Sequence, residues 1–287
     1  MIKIAVISDL HYSKYPNPGH PERYGMFADI LLLRAVHRLN RHIKPDITII
    51  AGDLIADPPE SGLLKELAGI LALLESPYLV IPGNHDPAPE IFYQDIPRPP
   101  EFIDINNFRF IPFIDPETPE RTSLRSREDI ARLRKLTADF PGRVVSVQHT
   151  PLCLSESELC PSNCNYTNAD EILDVPVFLT LSGHYHKGLP PTQMKNGCFA
   201  FIASAVSESP FGYFILDIDD NGKINYSAES LILPVRGMTD THVHTRLAYC
   251  QENMNLERTL KLADFFGLKQ IALTEHSGQQ CILRQCP

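Results

Sequence analysis

The fold this chain predicts is α/β and layered, and three observations carry the prediction. Short β-branched runs alternate with longer stretches whose apolar residues recur at helical spacing through the first 86 residues. Several of those runs end in polar residues, as in IKIAVISDLH, DITIIAGD and PYLVIPGNHD. No apolar run reaches the roughly 18 to 20 residues that a membrane span requires.

The elements follow in order. Ile2–Ser8 reads as a buried strand that delivers Asp9 at its carboxyl end. Tyr24–Arg41 has helical periodicity, and a second strand begins at Asp46 and runs to Asp53. A helix over Leu63–Glu75 and a strand from Pro77 complete β-α-β-α-β, an order that gathers functional groups at the carboxyl ends of the strands. The proline-rich stretch 87–100 breaks the rhythm and reads as an irregular surface excursion. A strand from Phe108, a polar helix over Ser126–Ala138 and a strand ending at His149 come next. A loop covers Pro151–Asn168, and apolar runs from Val175 and Cys198 read as two further strands. Asp219-Asp220-Asn221-Gly222 then makes a hairpin turn, since Asn-Gly tolerates positive φ, and this hairpin closes a first domain spanning 1–236.

Composition narrows the class. In 287 residues, 43% hydrophobic and 21% charged is the balance of an ordinary globular protein. The start MIKIAVISDL has neither the length nor the cleavage site of a signal peptide, so a cytoplasmic protein without membrane attachment is expected. A net charge of −9 disfavours tight non-specific nucleic-acid binding, which depends on Lys and Arg neutralising phosphates. Seven cysteines, odd in number and scattered, argue against a disulfide framework, and Cys153, Cys160 and Cys164 read as reduced thiols in a loop. Oligomeric state has no signature in the sequence.

Five blocks carry chemistry: Asp9-Leu10-His11, Gly52-Asp53, Gly83-Asn84-His85-Asp86, His149 and Gly183-His184-Tyr185-His186. With 11 histidines a His-x-His pair arises by chance roughly 0.4 times in such a chain, whereas Gly-Asn-His-Asp arises about 0.002 times. Taken alone, a histidine at a strand end is usually structural and an aspartate before a helix is usually a cap. Their joint placement decides the matter, because each block directly follows an expected strand, so that all five could converge on one sheet edge. Carboxylate, amide and imidazole donors together suit manganese, iron or zinc better than calcium, and an aspartate with two oxygens can bridge a pair of such ions. Two adjacent divalent ions stabilise attacking and leaving oxygens and lower the pKa of bound water. Of the other histidines, His37 and His42 lie on the first helix and read as structural, and His20 in a polar loop has no assigned role.

In this order the blocks resemble those of the calcineurin-like metallophosphoesterases, D-x-H, G-D, G-N-H-D/E, H and G-H-x-H, over Ile2–Leu233 with none missing. The resemblance implies a four-layer αββα sandwich. It also implies one metal on Asp9, His11 and His186, a second on Asn84, His149 and His184, and Asp53 between them. His85 would contact the phosphate and protonate the leaving oxygen, with Asp86 orienting its ring. The implied activity is hydrolysis of a small phosphodiester or phosphomonoester, such as a cyclic nucleotide, by a bridging hydroxide. A nuclease and a non-catalytic metal-binding interaction module on the same scaffold are the alternatives.

Residues 237–287 form a second segment. Thr239-Asp240-Thr241-His242-Val243-His244, a helical stretch from Leu256 to Phe266 and QIALTEHS from Gln270 resemble the opening β-α-β of a PHP domain. His242 and His244 match its first block, and Glu275-His276 resembles its second. About 50 residues are too few for a closed barrel, so this segment is expected to be an incomplete PHP unit without activity of its own.

Overall fold

Strand β1 (Ile2–Ile7) shows why the first sheet forms: Ile2, Ile4 and Val6 point into one apolar layer, while Ala5 and Ile7 are buried on the other face. A strand buried on both faces is what a parallel sheet between helices demands. The computed structural model describes residues 1–56, 62–120, 122–233, 236–245 and 254–274. The chain forms two units, Met1–Leu231 and Ile232–Pro287.

In the first unit β1 is followed by α1 (Ala28–Arg38), β2 (Ile47–Ile50), α2 (Leu63–Leu71) and β3 (Tyr78–Val80). Next come α3 (Pro89–Asp95), β4 (Ile103–Ile105), β5 (Phe108–Pro112), α4 (Arg127–Ala138) and β6 (Arg143–Val147). The unit ends with α5 (Ala169–Leu173), β7 (Leu179–Ser182), β8 (Leu189–Gln193), β9 (Phe199–Ile202), β10 (Gly212–Ile218) and β11 (Ile224–Ser230). Two sheets result, ordered β11-β10-β1-β2-β3 and β4-β5-β6-β7-β9-β8. Their facing sides share one apolar layer in which Ile4, Ile49, Phe110, Val145, Leu181 and Leu216 interdigitate. Each such side chain contributes about 1.5–3 kcal/mol on full burial. On the far side of the second sheet, Ile130, Leu133 and Leu136 of α4 and Ile172 of α5 pack against Ile111, Val144 and Ala200. Helices α1 and α2 pack on each other, and the fold is a mixed α/β sandwich of two sheets with helices outside.

Both sheets have parallel centres. β1, β2 and β3 run parallel, as do β5, β6, β7 and β9, while β10, β11, β4 and β8 supply antiparallel edges. The carboxyl ends of β1, β2, β3, β6 and β7 each lead directly into one of the five blocks. Helix α4 begins where Ser126 accepts the Asp129 N–H at 3.0 Å, a cap its sequence announces.

The proline-rich stretch 87–100 is not wholly irregular, since Pro89 occupies the first turn of α3, where its missing N–H is no loss. Strand β8 carries Pro190 and Pro191, which hide it from a sequence reading but are tolerated because it is an edge strand. In the 219–222 turn only Gly222 takes positive φ, at 88°, so glycine rather than asparagine supplies the left-handed residue. Among the described residues no helix is long and apolar enough to cross a membrane.

The second unit contains β12 (Thr239–Val243), α6 (Leu256–Phe265) and β13 (Gln270–Leu273), with β12 and β13 parallel. Asn255 caps α6 by accepting the Arg258 N–H at 2.8 Å. The Nε2 atoms of His242 and His244 lie 2.8 Å apart, and Glu275-His276 falls outside the described residues.

Candidate metal centre

The backbone at the strand ends is bent into shapes that side-chain-bearing residues rarely adopt. Asp9, His11, Asp53 and His184 all have positive φ, between 45° and 64°. Such conformations cost about 1–3 kcal/mol each and gather at functional sites. The bends are held by bonds between loops: Asp9 N–H donates to Gly52 O at 3.0 Å, His11 N–H to Asp53 O at 3.0 Å and Gly183 N–H to His149 O at 2.9 Å. The glycines let the chain pass against the site. A Cβ on Gly83 would lie 2.1 Å from Asp53 Oδ1, and one on Gly183 would lie 1.8 Å from Ser8 Oγ and 2.6 Å from Asp9 Oδ2.

The residues singled out for metal binding come together in two groups. Asp9, His11, Asp53 and His186 offer ligand atoms within 4.8 Å of one another, as do Asp53, His149 and His184, so Asp53 belongs to both. His186 Nε2 is 3.3 Å from Asp9 Oδ1 and 3.1 Å from His11 Nε2, while Asp53 Oδ2 is 3.6 Å from His11 Nε2 and 3.3 Å from His149 Nε2. Asn84 joins the second group, its Oδ1 standing 3.1 Å from His149 Nε2 and 3.0 Å from His184 Nδ1.

The electrostatics are those of two buried anions in need of countercharge. Asp9 and Asp53 are 0% and 1% exposed. Burial would raise the Asp9 carboxyl, but the bond to His186 and the neighbouring imidazole charges outweigh it and hold it low. Asp53 is lowered in the same way, burial being overcome chiefly by His149. Against its burial, His149 is raised to about 10 by Asp53, and His186 to about 9 by Asp9 and Glu208. His11 and His184, for which burial prevails, fall to about 4. Convergent carboxylate, amide and imidazole donors around that anionic pair fit divalent cations of the manganese, iron and zinc kind.

His85 stands beside this cluster, its ring edge-on to His11 with centroids 4.9 Å apart and its backbone N–H donating to Asp53 Oδ1 at 2.9 Å. Asp86 is placed differently from the expectation that it orients the His85 ring. Its two oxygens accept from the backbone N–H groups of Leu54, Ile55 and Gly83 at 2.8–3.1 Å, so the carboxylate ties the second block to the third. Those donors account for both oxygens.

A profile of the calcineurin-like phosphoesterase family matches residues 2–188. The chain belongs to that family. Among solved structures, a dimetal phosphatase from Danio rerio is similar at 14% identity and TM-score 0.64, covering 80% of this chain and 96% of its own. The protein TT1561 of Thermus thermophilus is similar at 17% identity and TM-score 0.52, covering 79% and 98%. GAP50 of Plasmodium, described as the anchor in the inner membrane complex, is similar at 12% identity and TM-score 0.51, covering 96% and 97%. At such identities these likenesses speak for the fold alone. A comparison with curated proteins finds no match.

Two residues escaped the motif-based reading of this calcineurin-like phosphoesterase. Glu208 Oε1 lies 2.5 Å from His186 Nδ1 and accepts from Arg23 Nε at 3.2 Å. A carboxylate in that position fixes the imidazole tautomer so that Nε2 faces the cluster. The available signal was weak, since Glu208 lies in the loop that follows β9 but, unlike the five blocks, not at the strand's end. Arg23 lies in the loop before α1, where no pattern marks it.

Proposed function

We propose that this protein hydrolyses small phosphoesters at a centre that holds two divalent metal ions. Asp9, His11 and His186 would hold one, Asn84, His149 and His184 the other, with Asp53 between them. Sharing of Asp53 by the two ligand groups carries the reading, since a carboxylate common to both would serve two neighbouring ions. Bound there, divalent cations supply Lewis acidity and make water nucleophilic at neutral pH.

The chain's own groups do the rest. The loop ties from Asp86 hold Asn84 and His85 in place over the cluster. The His85 ring stands next to His11 and lines the cleft, where it can give a proton to the leaving oxygen. That cleft, about 420 Å³, suits a small substrate. A cytoplasmic location accords with this chemistry.

The alternative is a non-catalytic metal-binding interaction module on the same scaffold, since a fold does not fix a function. Metal-stripped protein supplied with manganese, iron or zinc should hydrolyse bis-p-nitrophenyl phosphate. Metal uptake without turnover under all three would favour the module. For the second unit, the reading as a PHP-like β-α-β rests on parallel β12 and β13 flanking α6 and on the paired His242 and His244.

A further inference from the structure

The walls of the cleft contain a cationic feature that the metal ligands do not explain. Arg23 and His20 line both the 420 Å³ cleft and an adjoining hollow of about 200 Å³, and His85 lies between the two spaces. Arg23 is the sole Lys or Arg among the described residues lining either space. Its side chain is only 16% exposed, so it is a built part of the wall and not a solvated surface group. The loop is fixed as well: Arg23 N–H donates to His20 O at 3.0 Å, and Tyr24 N–H donates to Ser207 O at 2.7 Å.

Glu208 accepts from Arg23 Nε at 3.2 Å and is, among the described residues, its one side-chain hydrogen-bond partner. A guanidinium has five N–H donors, so the Nη fork is left for another acceptor. Glu208 also holds His186, which places the guanidinium two hydrogen bonds from a residue of the metal cluster. A planar fork of this kind matches the oxygens of a phosphate in bidentate fashion. In a chain of net charge −9, cationic and donor groups lining a cleft with Glu117 as its one acid point to a polyanionic occupant.

We propose that Arg23, assisted by His20, forms a second phosphate subsite, and that the substrate is a phosphoester carrying an adjacent phosphate, of the nucleoside-diphosphate class. This rests on the phosphoesterase reading for where the reacting phosphate lies, and it counts against a cyclic mononucleotide, which has no second phosphate to offer.

The test measures binding and turnover separately on the full chain. ADP and AMP, identical but for one phosphate, are titrated calorimetrically into protein held in excess manganese. Wild type should bind ADP at least about ten-fold more tightly than AMP. Arg23→Gln should collapse that preference to about three-fold or less, Arg23→Lys should restore part of it, and His20→Gln should lower it several-fold. Glu208→Gln, which loosens both His186 and Arg23, should weaken both nucleotides and lower their ratio in part. A wild-type ratio near one, or a ratio that survives both Arg23→Gln and His20→Gln, overturns the subsite. Hydrolysis of bis-p-nitrophenyl phosphate is read in parallel. Its absence in wild type with manganese, iron and zinc alike defeats the phosphoesterase reading, while the ADP:AMP ratio still decides the subsite.

Discussion

Gly83→Ala is a small change that should break the metal centre while leaving the fold in place. Its Cβ would stand 2.1 Å from Asp53 Oδ1, 2.5 Å from Asp53 N and 2.7 Å from His149 Nε2, where real Cβ contacts keep beyond 3.0 Å. Relief therefore needs a displacement of about 1 Å, and none of the three atoms is the free end of a flexible chain. Asp53 Oδ1 is held by the His85 N–H at 2.9 Å, and the His149 ring is held through Nδ1 by Ala51 O at 2.7 Å. Overpacking of this kind costs about 1–3 kcal/mol. Metal–ligand distances tolerate only about 0.2 Å, so a shift of that size removes the shared carboxylate from ligand geometry.

Manganese affinity measured by calorimetry should fall by about 10- to 100-fold, the range seen when the support of a ligand is lost. Gly69→Ala is the control, because nothing lies within 4 Å of its would-be Cβ at an exposed position of α2. That substitution should stabilise the protein by about 0.5–1 kcal/mol through helix propensity alone. Wild-type manganese affinity in Gly83→Ala would refute the close-approach argument and, with it, the placement of Asp53.

Four further outcomes follow from the geometry. Glu208→Gln weakens the hold on His186 and should lower manganese affinity by about 10- to 100-fold in the same titration. Asp86→Asn sets an amide N–H₂ against backbone donors and should cost about 1–3 kcal/mol in thermal unfolding; lost turnover at unchanged stability would instead restore Asp86 as the residue that orients His85. Arg125→Met strands the buried Asp115, whose Oδ2 now accepts from Arg125 Nη2 at 2.9 Å, and should cost about 3–5 kcal/mol in chemical denaturation. Manganese at about 100 times its Kd should add about 2.7 kcal/mol of stability, seen as a rise in Tm that a chelator reverses.

What was legible in the sequence was whatever follows strand ends. β1, β2, β3, β6 and β7 stand out as apolar runs, and their polar termini were therefore open to reading as one site. Strand β8 was not legible, because Pro190 and Pro191 suppress the strand signal at the edge position that tolerates them. Glu208 and Arg23 were missed for a different reason: each acts through a partner far away in sequence, 22 residues from Glu208 to His186 and 185 from Arg23 to Glu208. Asp86 was found and assigned a different task. The family resemblance implied that Asp86 orients the His85 ring, whereas the turn directs its carboxylate to the backbone of Leu54 and Ile55.

The same turn explains why the site can be both strained and stable. Four of the residues that converge on the centre take positive φ, at a cost of about 1–3 kcal/mol each, and nothing local in their sequence repays it. The compensation comes from loop-to-loop bonds such as Asp9 N–H to Gly52 O and His11 N–H to Asp53 O, which exist only once β1 and β2 are paired. Asp86 adds bonds from the Leu54 and Ile55 N–H groups between the second and third blocks, and one from the Gly83 N–H within the third. The bonds that shape the donor loops run between the loops themselves, and the convergence of Asp9 and Asp53 is an unfavourable term that they leave in place. A divalent cation held by these residues would relieve that repulsion, and its binding energy is then expected to come from charge neutralisation more than from ordering of the loops. Manganese binding should accordingly leave amide exchange in the loops after β1 and β2 nearly unchanged while raising Tm, and broad new protection of those loops would show instead that the cation folds its own site.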